Sequence, residues 1–97
     1  MSFHATLDRL ISLLAAKPQH LSDNALASTC TGINTDTRSL KPGDIFVALR
    51  GEKFDGHGFV ATAVEKGAIA AIVDGHYQGD LPVLQVRDTL QAYQQIA

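Results

Sequence analysis

Residues 45–73, IFVALRGEKFDGHGFVATAVEKGAIAAIV, decide the fold that this chain of 97 residues can adopt. The stretch opens with the apolar run 45–49 and closes with a second apolar run, 68–73. Both have the length and character of strands that are covered on two faces. Between them, apolar residues recur at helical spacing over 59–66, and Gly67 follows at the position just past a helix end. A strand-helix-strand unit of this kind makes a right-handed parallel crossover, which predicts an α/β fold.

Outward from this unit, helical spacing predicts a leading helix over 6–16, capped by Thr6 and ended by Pro18. In the central helix, Phe59 is expected on the inward face. Lys41-Pro42-Gly43-Asp44 carries the Pro-Gly pair of a type II turn. The other predicted elements are a strand over 28–35, an irregular segment over 19–27, a strand over 83–86 and a last helix capped by Asp88 or Thr89. These elements predict a small three-layer α/β domain with a mixed sheet of about four to five strands flanked by helices.

Composition and charge exclude several classes of protein. The chain is 45% hydrophobic and 19% charged, with a formal net charge of −2, which is typical of one globular domain without a basic surface for nucleic acid. Cys30 is the single cysteine, so it forms no internal disulfide or Cys-based zinc site, and a small buried filler is its favoured role. His4, Asp8 and Arg9 interrupt the early apolar residues, so no signal peptide is predicted. No apolar run approaches the length of a membrane span, and we expect a soluble cytoplasmic protein with no membrane insertion.

The loop after the first apolar run carries a glycine spacing typical of phosphate loops. Gly51 and Gly56 have the G-x-x-x-x-G spacing, but His57 and Gly58 follow where such a loop needs Lys and then Ser or Thr. An ATP phosphate loop is therefore rejected. The histidines show no metal-ligand spacing, so no metal site is predicted. Asp55 and His57 can form a pair, which we interpret as a loop carboxylate that holds an imidazole in preference to an acid–base couple.

A second glycine pattern offers an alternative function. Gly56, Gly58 and Ala61 match G-x-G-x-x-A at the start of a predicted helix, and Asp74 ends the next strand, where a ribose-binding acid belongs. This pattern favours a dinucleotide-binding half-domain of an oxidoreductase. However, a dinucleotide turn starts directly at the strand end, whereas residues 50–55 intervene here.

Thr35-Asp36-Thr37-Arg38 concentrates groups that can bind a ligand just after a predicted strand. The hydroxyls can hold a base edge or a phosphate, and Arg38 can bind a phosphate through two parallel hydrogen bonds. The competing interpretation is structural: Asp36 caps the turn, and Arg38 pairs with Asp36 or with Asp44. Residue chemistry alone leaves both interpretations open.

Three motifs in one order give the chain a family resemblance. T-D-T-R at 35–38, P-G-D-x-F-x-A at 42–48 and G-x-x-x-D-G-H at 51–57 resemble the N-terminal domain of the Mur ligase family, and the similarity covers residues 32–74. The resemblance implies a domain that binds the UDP end of a UDP-N-acetylmuramoyl-peptide. Gly58 departs from the acidic residue often found after the histidine in this family, which puts a carboxylate role at that point in doubt.

The resemblance also implies which residues contact the nucleotide. Thr35 and Thr37 flank the turn aspartate and are expected to contact it, together with the loop residues Glu52, Lys53 and Phe54. Hydroxyls can satisfy uracil or phosphate oxygens, and Lys53 can offset the charge of a diphosphate. Phe54 offers a flat face for a base or packs beneath its loop. The residues expected to shape turns are Asp36, Arg38, Asp44 and Asp55, and His57 is a further supporting residue.

The activity that the resemblance implies belongs to a parent enzyme. Such an enzyme is an ATP-dependent ligase that adds D-alanyl-D-alanine to the peptidoglycan precursor, or alternatively the related ligase that adds the third residue, meso-diaminopimelate or lysine. The family's G-T-N-G-K-[ST] loop, magnesium ligands and carbamylated lysine are absent from these 97 residues. We therefore expect no catalytic residue and no bound cofactor here, with ATP and Mg²⁺ held by central and C-terminal domains of a longer bacterial chain. The chain also stops within a helical pattern, which favours a piece of a longer protein. A non-catalytic module whose loops contact another protein is a third hypothesis.

Overall fold

The computed structural model describes residues 5–51 and 55–96, which form a mixture of helices and strands. The strands are β1 (Ala5–Thr6), β2 (Lys17–Gln19), β3 (Thr29–Cys30), β4 (Gly32–Asn34), β5 (Asp44–Val47), β6 (Ala70–Val73) and β7 (Val83–Gln85). The α-helices are α1 (Leu7–Leu14), α2 (Asp23–Leu26), α3 (Val60–Glu65) and α4 (Thr89–Ile96), and a 3₁₀ helix covers Gly56–Phe59. No helix among the described residues is long and apolar enough to cross a membrane.

The main sheet has five strands in the order β2-β7-β6-β5-β4. Strands β4, β5, β6 and β7 run parallel to one another, and β2 pairs with β7 in the antiparallel sense. A separate small sheet pairs β1 with β3. The predicted mixed sheet and the parallel pairing of β5 with β6 are both confirmed.

Two layers of helices cover the sheet. On one face, Ile45, Val47 and Ile72 pack in one buried cluster with residues of α1 and α4, including Leu10 and Ile96. On the opposite face, the alternate strand residues pack in a second cluster with α3; they include Phe46, Ala71, Val60 and Ala63. Because successive residues of a strand point to opposite faces, the continuous apolar runs fill both clusters at once. The three-layer prediction is therefore confirmed.

The turn before β5 has the predicted geometry. Gly43 has a φ of 93°, in the region that a type II turn reserves for glycine, and the N–H of Asp44 donates to the carbonyl of Lys41 at 3.1 Å. The carboxylate of Asp44 accepts from the N–H of Lys41 at 2.9 Å. Asp44 therefore shapes the turn, and it does not pair with Arg38.

Three boundaries near the start of the chain differ from the prediction. Helix α1 ends at Leu14, before Pro18, because Ala15 adopts the left-handed conformation with a φ of 51°. Pro18 lies in β2 at the sheet edge, where its missing N–H costs no hydrogen bond within the sheet. The predicted strand 28–35 is divided, since β3 joins the small sheet and β4 the large one. The segment 19–27, predicted as irregular, contains α2, whose cap is the Ser22 hydroxyl that accepts from the N–H of Ala25 at 3.1 Å.

Candidate functional site

The carboxyl ends of the parallel strands meet at one edge of the main sheet. Thr35 follows β4, Arg50 lies beyond β5, and Asp74 follows β6 directly. Open α/β sheets bind ligands outside this edge, because the loops that diverge there leave a crevice. The motif at 35–38 and residues 55–57 of the motif at 51–57 both lie at this edge, so the fold brings together parts of two segments singled out in the sequence.

A cleft of about 390 Å³ opens beside the turn that follows β4. Its lining residues are Thr35, Asp36, Thr37, Arg38, Phe46 and Phe59. Phe46 is 1% exposed and supplies the buried apolar part of the lining. A polar rim beside an aromatic surface is the combination that a flat heterocycle with a polar edge requires.

Phe59 is the main correction to the predicted core. It is 41% exposed and lines the cleft, whereas helical spacing placed it on the inward face of α3. Residues 56–59 form a 3₁₀ helix, which winds three residues per turn, so Phe59 falls out of step with the buried residues Val60 and Ala63. No signal in the sequence distinguishes this short segment from the α-helix that follows it.

The turn after β4 is held by its own acid–base pair. Asp36 accepts from the N–H of Arg38 at 2.9 Å, and the Arg38 guanidinium donates to both oxygens of Asp36 at 2.8–3.1 Å. These bonds from Arg38 lower the pKa of Asp36 to about 2. Asn34 completes the turn by accepting from the N–H of Asp36 at 2.8 Å. Asp36 and Arg38 are therefore occupied with each other, as the structural interpretation expects.

The side chains of Thr35 and Thr37, on either side of Asp36, differ from this acid–base pair in their hydrogen bonding. Thr37 is 9% exposed and its carbonyl accepts from the Lys66 ammonium at 2.8 Å, which fixes its backbone. Within the described part of the chain, no hydrogen bond engages the hydroxyl of Thr35 or of Thr37. Each hydroxyl can both donate and accept, so the pair can match an alternating donor–acceptor edge.

The expected pairing of Asp55 with His57 is confirmed. The Asp55 carboxylate lies 2.6 Å from Nδ1 of His57 and accepts from its backbone N–H at 3.0 Å. The other ring nitrogen, Nε2, accepts from the N–H of Asp74 at 3.0 Å. Because Nε2 is an acceptor, the proton of the neutral ring resides on Nδ1 and points at Asp55. The backbone and side chain of His57 lower the pKa of Asp55.

The contacts of the second glycine pattern do not favour a dinucleotide. The Asp74 carboxylate receives the Arg50 guanidinium at 2.7 Å and the N–H of His76 at 2.8 Å, so it is engaged within the chain. A Cβ on Gly56 would lie 2.9 Å from the backbone nitrogen of Leu49. Gly56 therefore serves a close approach between two segments of the chain.

The remaining site predictions fall outside the described residues or concern metals. Glu52, Lys53 and Phe54 lie between the two described ranges. Among the residues that the structure does describe, no group of three His, Cys, Asp or Glu side chains is arranged to hold a metal ion. Cys30 is buried and reduced, and burial raises the pKa of its thiol to about 11, in keeping with the filler role.

A second cleft, of about 440 Å³, was not anticipated from the sequence. It lies where β2, β6 and β7 meet, and its lining includes Lys17, His76 and Arg87. The three residues come from separate segments, so only the folded sheet brings them together.

Most of the chain is similar to one known protein family. Residues 29–97 match the family described as Mur ligase family, catalytic domain. The chain belongs to the Mur ligase family. The resemblance carried by the three motifs is thereby confirmed.

The chain is also similar in sequence to individual Mur ligases. The chain is 53% identical over 68 residues to UDP-N-acetylmuramoyl-tripeptide--D-alanyl-D-alanine ligase of Synechocystis sp., and 46% identical over 69 residues to the ligase of the same name from Escherichia coli K12. These matches cover 67% and 71% of this chain. The diaminopimelate ligase of Listeria monocytogenes serotype 4b is 35% identical over 89 residues, which is 92% of this chain. The chain spans only 15–18% of the length of these three relatives.

Solved structures of Mur ligases share the fold. Crystal structure II of MurF from Acinetobacter baumannii superposes with a TM-score of 0.81 at 31% identity, over 98% of this chain and 20% of that chain. MurF from Thermotoga maritima, crystallised in complex with ADP, superposes with a TM-score of 0.61 over 78% of this chain and 17% of that chain. Its 24% identity supports a likeness of fold alone.

Proposed function

We propose that this chain is the N-terminal, UDP-binding domain of a Mur ligase that adds D-alanyl-D-alanine to a UDP-N-acetylmuramoyl-tripeptide in the bacterial cytoplasm. The observation that carries the proposal is the cleft beside Thr35 and Thr37, where two hydroxyls have no hydrogen-bond partner among the described residues. The names of the two relatives with 53% and 46% identity support the choice of the incoming unit.

The cleft suits the uridine end of such a substrate. The Watson–Crick edge of uracil presents one N–H between two carbonyl oxygens, and two hydroxyls that donate and accept can pair with it. Phe59 offers an aromatic face beside them. By resemblance to the family, Glu52 and Phe54 add contacts from the neighbouring loop and Lys53 offsets the charge of the diphosphate.

ATP and Mg²⁺ do not fit the residues of this chain. The only glycine spacing that resembles a phosphate loop is followed by His57 and Gly58, which supply neither the ammonium nor the magnesium-binding hydroxyl. The described residues offer no cluster of metal ligands. We assign both groups to a central domain of the parent ligase, with a C-terminal domain completing the enzyme, and we derive no catalytic step here.

The role left to this domain is anchoring. Binding energy from the remote nucleotide end can hold the reacting carboxylate of the peptide in place, so that the chemistry elsewhere becomes effectively unimolecular. The domain therefore contributes to the reaction without touching the atoms that react.

The test is calorimetric titration of UDP into the full-length protein that carries these residues, with NAD as the comparison ligand. We expect saturable binding of UDP and none of NAD within this domain. Binding of NAD that Gly58→Val abolishes would favour the oxidoreductase alternative. Absence of both would favour a protein-interaction module.

The related ligase that adds the third residue is the second candidate. It is favoured by the diaminopimelate ligases, which match at 35% identity over a longer part of this chain. Activity assays of the full-length protein distinguish the two, because only the proposed ligase consumes the tripeptide substrate together with D-alanyl-D-alanine.

A further inference from the structure

Four residues, linked by side chains and by one backbone N–H, close a ring at the carboxyl ends of β5 and β6. Arg50 donates through Nε and a terminal nitrogen to the two oxygens of Asp74, at 2.7 and 3.3 Å. The backbone N–H of Asp74 donates to His57, and His57 donates to Asp55, at 3.0 and 2.6 Å. A terminal nitrogen of Arg50 lies 3.9 Å from Asp55 and completes the circuit. We refer to these four residues as the ring.

The ring joins three segments that are distant in sequence. Arg50 lies just beyond β5, Asp55 and His57 lie at the start of the 3₁₀ helix, and Asp74 ends β6. Backbone contacts support the same junction, since Arg50 and Asp55 form an antiparallel bridge and the N–H of Gly56 donates to the carbonyl of Leu49 at 2.7 Å. The 3₁₀ helix is thereby attached to the ends of two central strands.

The ring is half sheltered from water. The side chains of His57 and Asp74 are 8% and 12% exposed, whereas those of Arg50 and Asp55 are 44% and 51% exposed. Burial raises the pKa of Asp74, but the N–H of His76 and the Arg50 guanidinium outweigh it, so the pKa falls below its usual range. Pairs this exposed add little to stability, so orientation is the property that the ring can supply.

Phe59 connects the ring to the cleft. It is the last residue of the 3₁₀ helix, two residues beyond His57. It lines the same cleft as the threonine turn, although the two segments are distant in sequence. Gly58 lies between them, and a Cβ there would meet no atom within 4 Å, so no packing at Gly58 holds this part of the helix. The ring is one set of side-chain contacts that holds the start of this helix, at Asp55 and His57.

We propose that Arg50 and Asp74 are positioning residues for the uridine nucleotide, because through Asp55 and His57 they fix the short helix that brings Phe59 to the cleft. This inference rests on the proposed function. Neither residue touches the nucleotide. Their contribution is to hold one wall of the cleft at a constant distance from Thr35 and Thr37.

The test measures UDP affinity in the full-length protein for Arg50→Gln, Asp74→Asn and the double variant. Each single change should weaken binding about fivefold to tenfold, because a displaced Phe59 loses part of its contact with the base. The double variant should be no weaker than the worse single variant, because both changes break the same contact. Arg87→Gln and Asp80→Asn are the matched controls, since neither residue has an ion-pair partner among the described residues, and both should bind UDP normally.

A kinetic readout separates positioning from general loss of structure. In the ligase assay, the ring variants should raise KM for the UDP-linked substrate by the same factor and leave kcat within about twofold, since the reacting groups lie elsewhere. Arg50→Lys, which keeps the charge but loses the two-pronged geometry, serves if Arg50→Gln does not fold, and it should also raise KM.

The outcomes distinguish this inference from the proposed function. Wild-type protein that binds UDP, with ring variants of equal affinity, would overturn the positioning role and leave the proposed function standing. A loss of kcat with unchanged KM would overturn it as well. If wild-type protein does not bind UDP, the proposed function is wrong, and this inference, which rests on it, is wrong as well.

Discussion

Thr35 and Thr37 differ from Asp36 and Arg38 in that their side chains make no hydrogen bond to another described residue. Asp36 and Arg38 satisfy each other, whereas no hydrogen bond within the described residues engages either threonine hydroxyl. Because Asp36 and Arg38 bind each other, neither charge is left to compete for a ligand. Their contacts stabilise the turn that carries the two threonine hydroxyls.

Replacing a threonine hydroxyl with a methyl group tests this division of roles. Thr37→Val should weaken UDP binding about fivefold, the effect of one neutral hydrogen bond of about 1 kcal/mol, because valine keeps the shape of threonine. Calorimetry on the full-length protein measures it. Thr29→Val, the same change at an exposed threonine of β3 that does not line the cleft, is the control and should bind normally. Equal affinity of Thr37→Val and wild type would contradict the role of this hydroxyl.

The depressed pKa of Asp36 predicts a dependence of stability on pH. The pKa is about 2 in the folded chain, below the value of about 3.9 for an unfolded aspartate. The unfolded chain therefore takes up the proton first, so this contribution is full above about pH 4 and is lost as the pH falls through about 2. Denaturation midpoints at about pH 5 and about pH 2.5 should differ less for Asp36→Asn than for wild type. An unchanged difference would show that the pair with Arg38 does not form in solution.

At the scale of elements, the central strands, the helix between them and the type II turn were predictable, whereas the boundaries of some neighbouring elements were not. The runs that became β5 and β6 are apolar at every position, because both faces of the sheet are covered, and no other arrangement suits them. The start of α3 depended on a 3₁₀ turn that carries no sequence signature, so Phe59 was assigned to the wrong surface. Strands β3 and β4 were predicted as one, since a change of sheet at Thr31 leaves the alternation of residues intact.

The candidate site shows the same limit. The Asp55–His57 pair lies within one short segment, so spacing along the chain was enough to predict it. Residue chemistry left the role of Thr35-Asp36-Thr37-Arg38 open, and only the family resemblance pointed to Thr35 and Thr37. Arg50 and Asp74 are separated by 24 residues and meet only when β5 and β6 pair. No local pattern could have joined them, nor could it have placed Phe46 beneath the turn.

Two glycines of the short helix give a matched pair of substitutions. A Cβ at Gly56 would lie 2.9–3.0 Å from backbone atoms of Ala48 and Leu49, which cannot move aside as a flexible side chain can. Gly56→Ala should therefore lower the free energy of unfolding by about 1–3 kcal/mol. Gly58→Ala, where a Cβ meets nothing within 4 Å, should stay within about 0.5 kcal/mol of wild type. Chemical denaturation measures both, and equal effects would contradict the packing described at Gly56.

At the scale of the whole molecule, the candidate binding features lie together at one edge of the sheet. The carboxyl ends of four parallel strands carry the threonine turn, the ring and the second cleft, while the opposite ends carry turns such as the one at Gly43. The helical layers bury the sheet and leave this edge open. The groups that we propose to anchor the substrate therefore lie on one side of the domain.

The most direct test of the account is a crystal structure of the full-length protein with its UDP-linked muramoyl peptide bound. We predict uracil in the cleft, with its polar edge within hydrogen-bond distance of Thr35 or Thr37 and its ring beside Phe59. A uridine diphosphate bound elsewhere on the molecule, with both hydroxyls facing solvent, would contradict it.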